Sequence, residues 1–523
     1  MSVAFVSRRG FLQKLTTAAT IGCAAPLLAR PLWAASLSEK QVRTRTGVLR
    51  GTTDGRINCF KGVPFAQPPV GKLRFRAPER LAESSSALDA THFAPAAMQW
   101  PYPGAHLQED CLYLNIWAPE SKGPHPVYFW IHGGGFLGGR SSEPIFDGSG
   151  FAREDVVVVT VGYRLGIFGF LDLEPLLGAE YAGSANHGLL DLVTALEWVH
   201  ENIAGFGGDP DRVTIGGQSA GAKLAALLMA TPRARGLFSG AISESGGADR
   251  AFPRKTSLEV AKGFGECFRA ESKLPIESLR TLAASELIQL QGKFIDRWPV
   301  HFPLRASVEG HVLPAWPLHL IEEHAEGRRL LIGTNRDESA AFIGPHPEHD
   351  PQAADLGNMA LGEFTEVMRH YAEVYPTMSP EQRRIRATTA EEYWVPSLRV
   401  AEAACRGGSA VWMYRLDAAP NSGHLSGQAA HSAELDMVWQ HPYASGPTAL
   451  YEKILTAPMH EAWLNFIHHR EPASRALPPW PRFNEAERAT MLFDLKSRVE
   501  GRPQEKERLL WEGTLIRPYA PGA

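Results

Sequence analysis

A serine flanked by glycines is the first feature of the sequence whose residue type and setting could do chemistry. The segment TIGGQSAGAKLAALL, residues 214–228, places Ser219 in the pattern Gly-x-Ser-x-Gly, between Gly217 and Gly221. An apolar run precedes it and an alanine-rich run follows, which predicts a strand, a sharp turn and a helix. Such a turn exposes the hydroxyl, and the helix start directs free N–H groups toward developing negative charge. Ser219 is therefore a candidate nucleophile, with a small residue in a packed corner as the alternative.

A second glycine-rich segment could supply the donors that an acyl-transfer site needs for an oxyanion. HGGGF, His132–Phe136, follows an apolar run that predicts a buried strand. Glycines let backbone N–H groups approach a substrate with no Cβ in the way, which suits stabilisation of a negative charge. A simple glycine-rich strand-to-loop turn is the alternative.

The elements that must position these groups are predicted as strands alternating with helices. Apolar, β-branched runs predict strands, and apolar residues at helical spacing predict helices. Predicted strands lie at Pro126–Gly135, Asp155–Leu165, 211–218, Gly240–Gly246, Arg329–Asn335, Ala410–Asp417 and Ala489–Leu495, and predicted helices at Leu189–Gly207, Ala220–Ala230 and Gln504–Gly513. Buried strands that alternate with helices imply an α/β fold with a mostly parallel central sheet.

Two segments, Gly247–Leu330 and Pro345–Ser409, are more helical and polar than the rest of the chain. Within the second, His346–Asn358 is predicted to be a loop because it is rich in proline, glycine and polar residues. No linker is long or polar enough to divide the chain. Residues 40–517 are therefore predicted to form one domain, with the two segments as insertions that cap it.

Composition limits the class of partner. The 523 residues are 44% hydrophobic and 21% charged, and the net charge of −4 gives no sign of a nucleic-acid partner. After the N-terminal segment, no apolar run reaches the roughly 18 residues that span a bilayer. Four cysteines, Cys59, Cys111, Cys267 and Cys405, lie far apart without metal-type spacing, and we expect buried free thiols.

The N-terminal residues resemble an export signal. SRRGFLQK, Ser7–Lys14, carries paired arginines before the short, mildly apolar stretch Leu15–Ala29. This order is that of a twin-arginine signal, an address for proteins exported already folded, so we predict a signal peptide over residues 1–35 and a periplasmic or secreted product. A basic surface helix and a lipoprotein anchor at Cys23 are the alternatives, and Thr20 stands where the anchor expects an aliphatic residue.

Longer motifs recur in order along nearly the whole of the remaining chain. They are FKGVPFAQPPVGKLRF (Phe60–Phe75), EDCLYLNIW (Glu109–Trp117), HGGGF, YRLGIFGFL (Tyr163–Leu171), the run Asn186–Gly221 and GTNRDES (Gly333–Ser339). The series resembles the type-B carboxylesterases, the family that includes cholinesterases and bacterial para-nitrobenzyl esterases. The resemblance implies an α/β-hydrolase fold, whose large, mostly parallel sheet is flanked by helices, with helical insertions forming a cap around an active-site gorge.

The resemblance also implies a Ser/Glu/His triad in that chain order. Ser219 falls on the nucleophile, Glu338 on the acid, His431 of HSAELDMVW on the base, and the backbone N–H groups of Gly134, Gly135 and Ala220 on the oxyanion hole. The residue types fit these roles. A neutral imidazole can accept the serine proton, and a buried carboxylate fixes the imidazole tautomer and stabilises its charged form.

The residues by themselves leave alternatives for the acid and the base. Asp337 adjoins Glu338, and only the resemblance chooses between them. Three other histidines compete with His431 for the base role: His187, His424 and His441. Of the four, only His431 is followed by the x-x-Glu-Leu of the family.

Other charged and polar residues near these motifs are predicted to be structural. Two ion pairs resemble structural pairs, namely Arg74 with Glu109 and Arg164 with Asp191. Ser245 in SESG is predicted to be structural, with support of the active site as the alternative.

The chain departs from the family pattern upstream of Cys111. That cysteine usually has a disulfide partner, but APAAMQW, Ala94–Trp100, places alanine where the partner would be. The loop is therefore expected to be unbridged. Trp100 is a tentative substrate-binding residue that lines the gorge, with a packed surface tryptophan as the alternative.

A second departure adjoins the nucleophile and concerns substrate binding. Gln218 stands where the family commonly has glutamate, and Lys223 follows Ser219 by one helical turn. A less negative site should favour neutral or anionic esters over quaternary ammonium esters, which gain from nearby anions. The alternative is that Gln218 keeps a hydrogen bond and changes little.

Together these features predict a serine carboxylesterase that hydrolyses small-molecule esters through an acyl-enzyme. No metal or organic cofactor is implied. One alternative is a lipase or an esterase specialised for a xenobiotic, toxin or plant ester. A non-catalytic, neuroligin-like binding protein is the alternative from another class, but such relatives typically lose triad members that are all present here.

Overall fold

The computed structural model describes residues 37–248, 250–300, 302–343, 351, 355–440 and 450–517. The signal peptide predicted over residues 1–35 lies outside the described residues, as does most of the loop predicted over His346–Asn358. Within the described ranges, no helix combines the length and the apolar character that are needed to cross a membrane.

Strands provide the frame that positions the candidate residues. In chain order they are β1 (Ser38–Thr44), β2 (Gly47–Thr53), β3 (Ile57–Pro64), β4 (Ala87–Asp89), β5 (Ala96–Ala97), β6 (Leu107–Gln108), β7 (Tyr113–Pro119), β8 (His125–Ile131), β9 (Val157–Val161), β10 (Gly208–Gln218), β11 (Gly240–Glu244), β12 (Phe252–Pro253), β13 (Ser307–Val308), β14 (Arg329–Asn335), β15 (Ala410–Leu416), β16 (Thr490–Phe493) and β17 (Arg498–Glu500). Every residue of β8, β9 and β11 is buried, as expected for strands covered on both faces.

Most of these strands join one mixed sheet. Its order is β1-β2-β3-β7-β9-β8-β10-β11-β14-β15-β16-β17, with β4 beside β2. From β9 to β16 every neighbouring pair is parallel, whereas antiparallel pairs lie toward the two ends. The predicted large, mostly parallel central sheet is confirmed.

Helices connect the parallel strands. The longer ones are His187–Asn202, Ala220–Ala230, Arg254–Glu271, Ala284–Arg297, Pro317–His324, Leu361–Val374, Pro380–Thr389, Val395–Arg406 and Leu450–Ile467. Short helices lie at Ser149–Ala152, Gly166–Phe170, Glu174–Leu177, Ala340–Ile343, Leu435–Val438 and Glu505–Leu510, and a π-helix at Ala390–Trp394. The segments Gly247–Leu330 and Pro345–Ser409 are thus largely helical, as their sequences predict.

Helix ends differ from the predicted ends for a local reason. The helix expected over Leu189–Gly207 runs as α-helix over His187–Asn202 and continues as a 3-10 turn over Ile203–Phe206. Gly207 then ends it in the left-handed conformation, at φ +78°, where glycine carries no steric penalty.

The core lies on both faces of the sheet because alternate strand residues point to opposite sides. In β9, Val157, Val159 and Val161 pack into one apolar cluster, and Val158 packs into the cluster on the other face. Each cluster also takes residues from the flanking helices, such as Leu192 on the first face and Trp463 on the second. The central strands are therefore fixed in register by apolar packing on both sides.

Both predicted structural ion pairs are present. Arg164 donates from Nε and Nη2 to the two carboxylate oxygens of Asp191, at 2.9 and 2.6 Å, and its backbone N–H also binds that carboxylate. Arg74 binds Glu109 through two nitrogens, the shorter contact being 2.5 Å. The Arg164 pair is fully buried, so it fastens the segment after β9 to the helix His187–Asn202.

The cysteines are all free, and the expected burial is correct for two of them. Cys111 and Cys267 are buried, whereas Cys59 and Cys405 are half-buried. The expectation was wrong for these two because β3 and the end of the helix Val395–Arg406 leave one side of each residue accessible. Cys111 is unbridged, as expected from the alanines upstream.

We predict that Asp191→Asn lowers the free energy of unfolding by about 3–5 kcal/mol, because it leaves a buried guanidinium without its ionic partner. Glu197→Gln on the same helix is the control. It removes a partner from the more exposed Arg233 pair, and such pairs contribute about 1 kcal/mol or less. Urea unfolding followed by circular dichroism measures both variants. Equal midpoints for the two variants would contradict the assigned role of the buried pair.

Candidate active site

Ser219 lies on a strained turn between β10 and the helix Ala220–Ala230. Its backbone has φ +57° and ψ −121°, a conformation that non-glycine residues rarely adopt. The Ser219 N–H donates to the carbonyl of Glu244 at 2.9 Å, and its carbonyl accepts from the Lys223 N–H at 3.0 Å. The neighbouring strand and the first helical turn therefore hold the serine in place, as the strand-turn-helix pattern predicts.

The two glycines of the pentapeptide are required by close backbone contacts. A Cβ on Gly217 would lie 2.5 Å from the carbonyl carbon of Gly221, and a Cβ on Gly221 would clash with the carbonyl oxygen of Ile131 at the end of β8. Any side chain at either position would push the helix away from the sheet. The two glycines of the pattern are thus required by close packing at the turn as well as by the exposure of the serine hydroxyl.

The HGGGF segment lies directly against this turn. A Cβ on Gly133 would lie 3.2 Å from Cβ of Ser219. Gly134 and Gly135 both have positive φ, at +117° and +63°. Among the described residues, no hydrogen bond uses the amide N–H of Gly134, Gly135 or Ala220 as its donor. Three unused amides beside a serine are what an oxyanion hole requires.

His431 and Glu338 meet beside the turn, although 93 residues separate them in the chain. Nδ1 of His431 lies 2.5 Å from Oε2 of Glu338, and both side chains are almost completely buried. With Nδ1 bound to a carboxylate, the imidazole carries its proton there and presents Nε2 as an acceptor. This is the arrangement in which an imidazole can take a proton from a hydroxyl.

Nε2 of His431 faces Gln218, the residue that precedes the serine. Nε2 of the Gln218 amide lies 3.2 Å from Nε2 of the imidazole. No hydrogen bond joins the Ser219 hydroxyl to His431 among the described residues. The imidazole ring therefore faces the turn that carries Ser219, but its acceptor nitrogen binds the amide of Gln218. Catalytic hydrogen bonds often shorten only when substrate binds.

The geometry separates Glu338 and His431 from their competitors. Asp337 accepts from Nε of Arg336 at 2.8 Å and from the Ala429 N–H at 3.0 Å, so it stabilises a loop. His424 is exposed, and His187 is buried at a helix start, where desolvation lowers its pKa well below the usual value. His441 lies outside the described residues.

Two residues support Glu338, and sequence reasoning assigned neither of them this contact. The Ser245 hydroxyl donates to Oε1 of Glu338. Ser245 therefore supports the site, which was the alternative to the purely structural role predicted from sequence. The Asn335 N–H donates to the same oxygen at 2.7 Å. Ser245 follows β11 and Asn335 ends β14. The only signal in sequence was their place at the carboxyl ends of two predicted strands, Gly240–Gly246 and Arg329–Asn335.

Two further carboxyl groups are buried near the triad. Glu434 accepts from Nδ2 of Asn335 at 2.5 Å, and Glu244 accepts from Nε1 of Trp463 at 2.7 Å. Burial, with Glu338 nearby, raises the pKa of Glu434 to about 8. Burial, with Glu434 nearby, also raises the pKa of Glu244 well above its usual value. The protonated form is therefore favoured in both groups, relative to an exposed glutamate.

Trp100 lies half-buried against the helix Ala284–Arg297. Its indole ring covers Gly292, where a Cβ would clash with the ring. The preceding Gln99 binds both the N–H and the carbonyl of Gly139, at 3.0 and 2.9 Å. This position resembles the packed tryptophan that was the alternative to a gorge-lining residue in the sequence analysis. Gln99 and Trp100 together join the helix Ala284–Arg297 to the loop that contains Gly139.

Comparison with known proteins shows the family of this chain. A model of the carboxylesterase family matches residues 38–511. The chain belongs to the carboxylesterase family. It is 35% identical to para-nitrobenzyl esterase of Bacillus subtilis over 90% of the chain and 98% of that protein. It is 32% identical to fumonisin B1 esterase of Sphingopyxis macrogoltabida over 87% of the chain and 86% of that protein.

Solved structures agree with the family assignment. The carboxylesterase EST55 of Geobacillus stearothermophilus has a TM-score of 0.79 and 35% identity, covering 90% of this chain and 99% of its own. A PNB esterase gives 0.78 and 34%, covering 90% and 100%. The esterase therefore has the α/β-hydrolase fold and is a carboxylic ester hydrolase. Its described residues contain no group of three or more His, Cys, Asp or Glu that could hold a metal ion.

We predict that Glu434→Gln makes the stability of the esterase less dependent on pH. A carboxyl group with a raised folded pKa stabilises the protein below the unfolded pKa, near 4.5, and this contribution is lost as pH rises through the folded pKa of about 8. The variant should lose less unfolding free energy than the wild type between pH 5 and pH 9. Urea unfolding across this range measures the effect, with exposed Glu366→Gln as the control. Parallel pH profiles for Glu434→Gln and the wild type would refute it.

Proposed function

We propose that the esterase is a serine carboxylesterase in which Ser219 is the nucleophile, His431 the general base and Glu338 the carboxylate that orients it. The observation that carries the proposal is the 2.5 Å contact between Nδ1 of His431 and Oε2 of Glu338, beside a serine held at φ +57°. These positions also match the family motifs in the chain order Ser, Glu, His.

The proposed reaction uses the groups in two half-steps. Ser219 Oγ attacks the ester carbonyl while Nε2 of His431 takes its proton, and the amides of Gly134, Gly135 and Ala220 stabilise the oxyanion. His431 then gives this proton to the leaving alcohol, which leaves an acyl-enzyme. A water molecule, deprotonated by His431, attacks the acyl-enzyme and releases the acid.

Gln218 has to release His431 for the first step. Its amide lies 3.2 Å from the nitrogen that accepts the serine proton. In the proposed reaction Nε2 exchanges this contact for one with the Ser219 hydroxyl. The lone pair on Nε2 is thus bound by a neutral donor in this structure.

The same residue supports a preference among substrates. A neutral amide replaces the carboxylate common in the family, so the site lacks one anion that attracts a cationic alcohol group. The esterase is therefore expected to favour neutral or anionic esters over quaternary ammonium esters. Trp100 is not part of this argument, because its ring packs against Gly292.

A specialised esterase is the second candidate function. It is favoured by 32% identity to a fumonisin B1 esterase along 87% of the chain, a toxin-named relative of nearly the same length. A non-catalytic binding protein is disfavoured because all three triad side chains are present.

We also propose that the arginine pair in Ser7–Lys14 directs export through the twin-arginine route, to the periplasm or beyond.

Ser219→Ala should reduce kcat for a 4-nitrophenyl ester by about 10⁴–10⁶-fold, because removing a nucleophile abolishes the acyl-enzyme route. A fluorophosphonate probe should label the wild type and leave Ser219→Ala unlabelled. Ser278→Ala, in the half-buried 3-10 turn Ile276–Arg280, is the matched control and should behave as the wild type. Full labelling of Ser219→Ala would exclude Ser219 as the nucleophile.

Gln218→Glu should raise the ratio of kcat/KM for butyrylcholine over 3,3-dimethylbutyl butyrate, its uncharged isostere, by about tenfold. A charge roughly 8 Å from the ammonium group contributes about 2 kcal/mol at an effective dielectric of 20, and screening lowers this figure. The exposed Gln41→Glu adds the same charge far from the site and should leave the ratio unchanged. A ratio in Gln218→Glu that stays at the wild-type value counts against the charge argument.

A further inference from the structure

A cluster of buried charged side chains lies beside the proposed triad and has no part in its proton transfers. Its members are Lys223, Arg250, Arg305, Glu391 and Glu392, all of them buried. They come from the helix after the nucleophile, from the segments that follow β11 and precede β13, and from the π-helix Ala390–Trp394. We call these five residues the charged cluster.

The charged cluster contacts both the nucleophile turn and the proposed base. Lys223 lies one helical turn after Ser219 and donates its N–H to the Ser219 carbonyl at 3.0 Å. Its ammonium nitrogen lies 5.2 Å from the centre of the Tyr393 ring, and that ring lies 4.8 Å from the imidazole of His431. The Tyr393 ring therefore contacts both the ammonium group of Lys223 and the imidazole of the proposed base.

The cations outnumber the carboxylates in the charged cluster. Glu392 accepts from Nζ of Lys223 at 2.6 Å and lies 3.3 Å from Nη1 of Arg250. Burial opposes its ionisation, but Arg250 and Lys223 outweigh burial and lower its pKa, so Glu392 is an anion. Burial, with Glu392 nearby, raises the pKa of Glu391, which therefore offsets the cations less. The described residues of the cluster thus carry excess positive charge.

Arg250 has donors that the protein does not use. Its side chain is fully buried, and Nη2 donates to the carbonyl of Glu391 at 3.2 Å. Neither Nε nor Nη1 has a hydrogen-bond partner, because the approach to Glu392 has the wrong angle for one. A buried guanidinium with unused N–H groups is unfavourable, and a carboxylate is the ligand whose two oxygens match that fork.

Lys223 has spare donors as well. An ammonium group has three N–H donors, and among the described residues the ammonium group of Lys223 donates one hydrogen bond, to Glu392. Desolvation lowers its pKa to about 8, so an anion bound beside it would restore the charge that burial disfavours. A buried lysine one turn from a nucleophile is therefore best stabilised when a negative group is bound.

We propose that Lys223 and Arg250 form an anion subsite that binds a free carboxylate of the substrate, so that the preferred substrates are esters that carry a second, ionised carboxyl group. Half-esters of dicarboxylic acids are the simplest members of this class. The inference rests on the proposed function, because it places the ester carbonyl at Ser219. The inference goes beyond the proposed function because it names a charge that the substrate must carry and the two residues that bind this charge.

The test compares matched charged and uncharged esters. One pair carries the carboxylate on the acyl side, 4-nitrophenyl hydrogen glutarate against 4-nitrophenyl glutaramate. The other carries it on the alcohol side, 4-acetoxybenzoate against 4-acetoxybenzamide. In at least one pair the wild type should have the higher kcat/KM for the charged ester, and the pair that responds tells which side of the ester faces Lys223.

The variant Lys223→Met with Glu392→Gln removes one cation together with the carboxylate that accepts its hydrogen bond, so the net charge of the cluster is unchanged and Arg250 loses its contact with Glu392 as well. The ratio of kcat/KM for charged over uncharged ester should fall by about tenfold or more, as expected for a lost hydrogen bond to a charged group. Arg250→Lys keeps the charge but loses the fork, and should lower the ratio by a smaller factor. Arg328→Met, a half-buried cation at the opposite edge of the sheet, should leave the ratio unchanged.

Binding of glutarate separates failure of the subsite from failure of the proposed function. Calorimetry on Ser219→Ala should show glutarate binding that weakens about tenfold or more when Lys223→Met and Glu392→Gln are added. No glutarate binding to Ser219→Ala, or unchanged ester ratios in an enzyme that fluorophosphonate still labels, would refute the subsite and leave the esterase proposal standing. Glutarate binding that depends on Lys223, in a protein that the probe never labels, would support the subsite and refute Ser219 as nucleophile.

Discussion

The site depends on a single steric constraint, the close approach of two carbonyl groups to the backbone of the nucleophile turn. Ile131 ends β8, and its carbonyl oxygen occupies the space that a side chain on Gly217 or Gly221 would need. In the sheet, Gly217 pairs with Ile131 on one side, and Gln218 pairs with Glu244 on the other. The strained serine is therefore held by the register of three parallel strands, and the apolar packing on both faces of those strands is what keeps the register.

Parallel strands also explain why residues from distant segments meet. The carboxyl ends of β8, β10, β11 and β14 lie at one edge of the sheet, and each is followed by a residue that contacts the triad or the nucleophile turn. Gly133 follows β8, Ser219 follows β10, Ser245 follows β11 and Glu338 follows β14. His431 alone comes from a segment without regular structure, and its position is fixed by hydrogen bonding to Glu338. In open α/β sheets ligands bind at this edge.

The surroundings of the site are dry and rich in ionisable groups. Glu338 is an acceptor for Ser245, Asn335 and the imidazole, while Glu434 and Glu244 lie close by with raised pKa values. On the other side of the serine lie the cations of the charged cluster. A neutral glutamine between these two groups keeps the immediate neighbour of the nucleophile uncharged, so local charge increases from the carboxyl side toward Lys223.

The sequence by itself determined the central strands, the helix after the nucleophile, the family and the identity of the candidate triad, but it predicted none of β1, β2 and β3. Gly-x-Ser-x-Gly after an apolar run carries its own explanation, because a turn this tight excludes side chains at the two glycine positions, and β8, β9, β10 and β14 follow from runs of buried, β-branched residues. The resemblance, and not the local pattern, chose Glu338 over Asp337 and His431 over three other histidines. Only the tertiary structure gave a physical reason for those choices: Asp337 is bound to Arg336 and Ala429, whereas Glu338 faces the imidazole.

Contacts such as Gln218 to His431, Ser245 to Glu338 and Lys223 to Glu392 span from 93 to 213 residues of chain. Local patterns report periodicity and turns, and they contain no information on which distant side chains the packing of a sheet brings within hydrogen-bond distance.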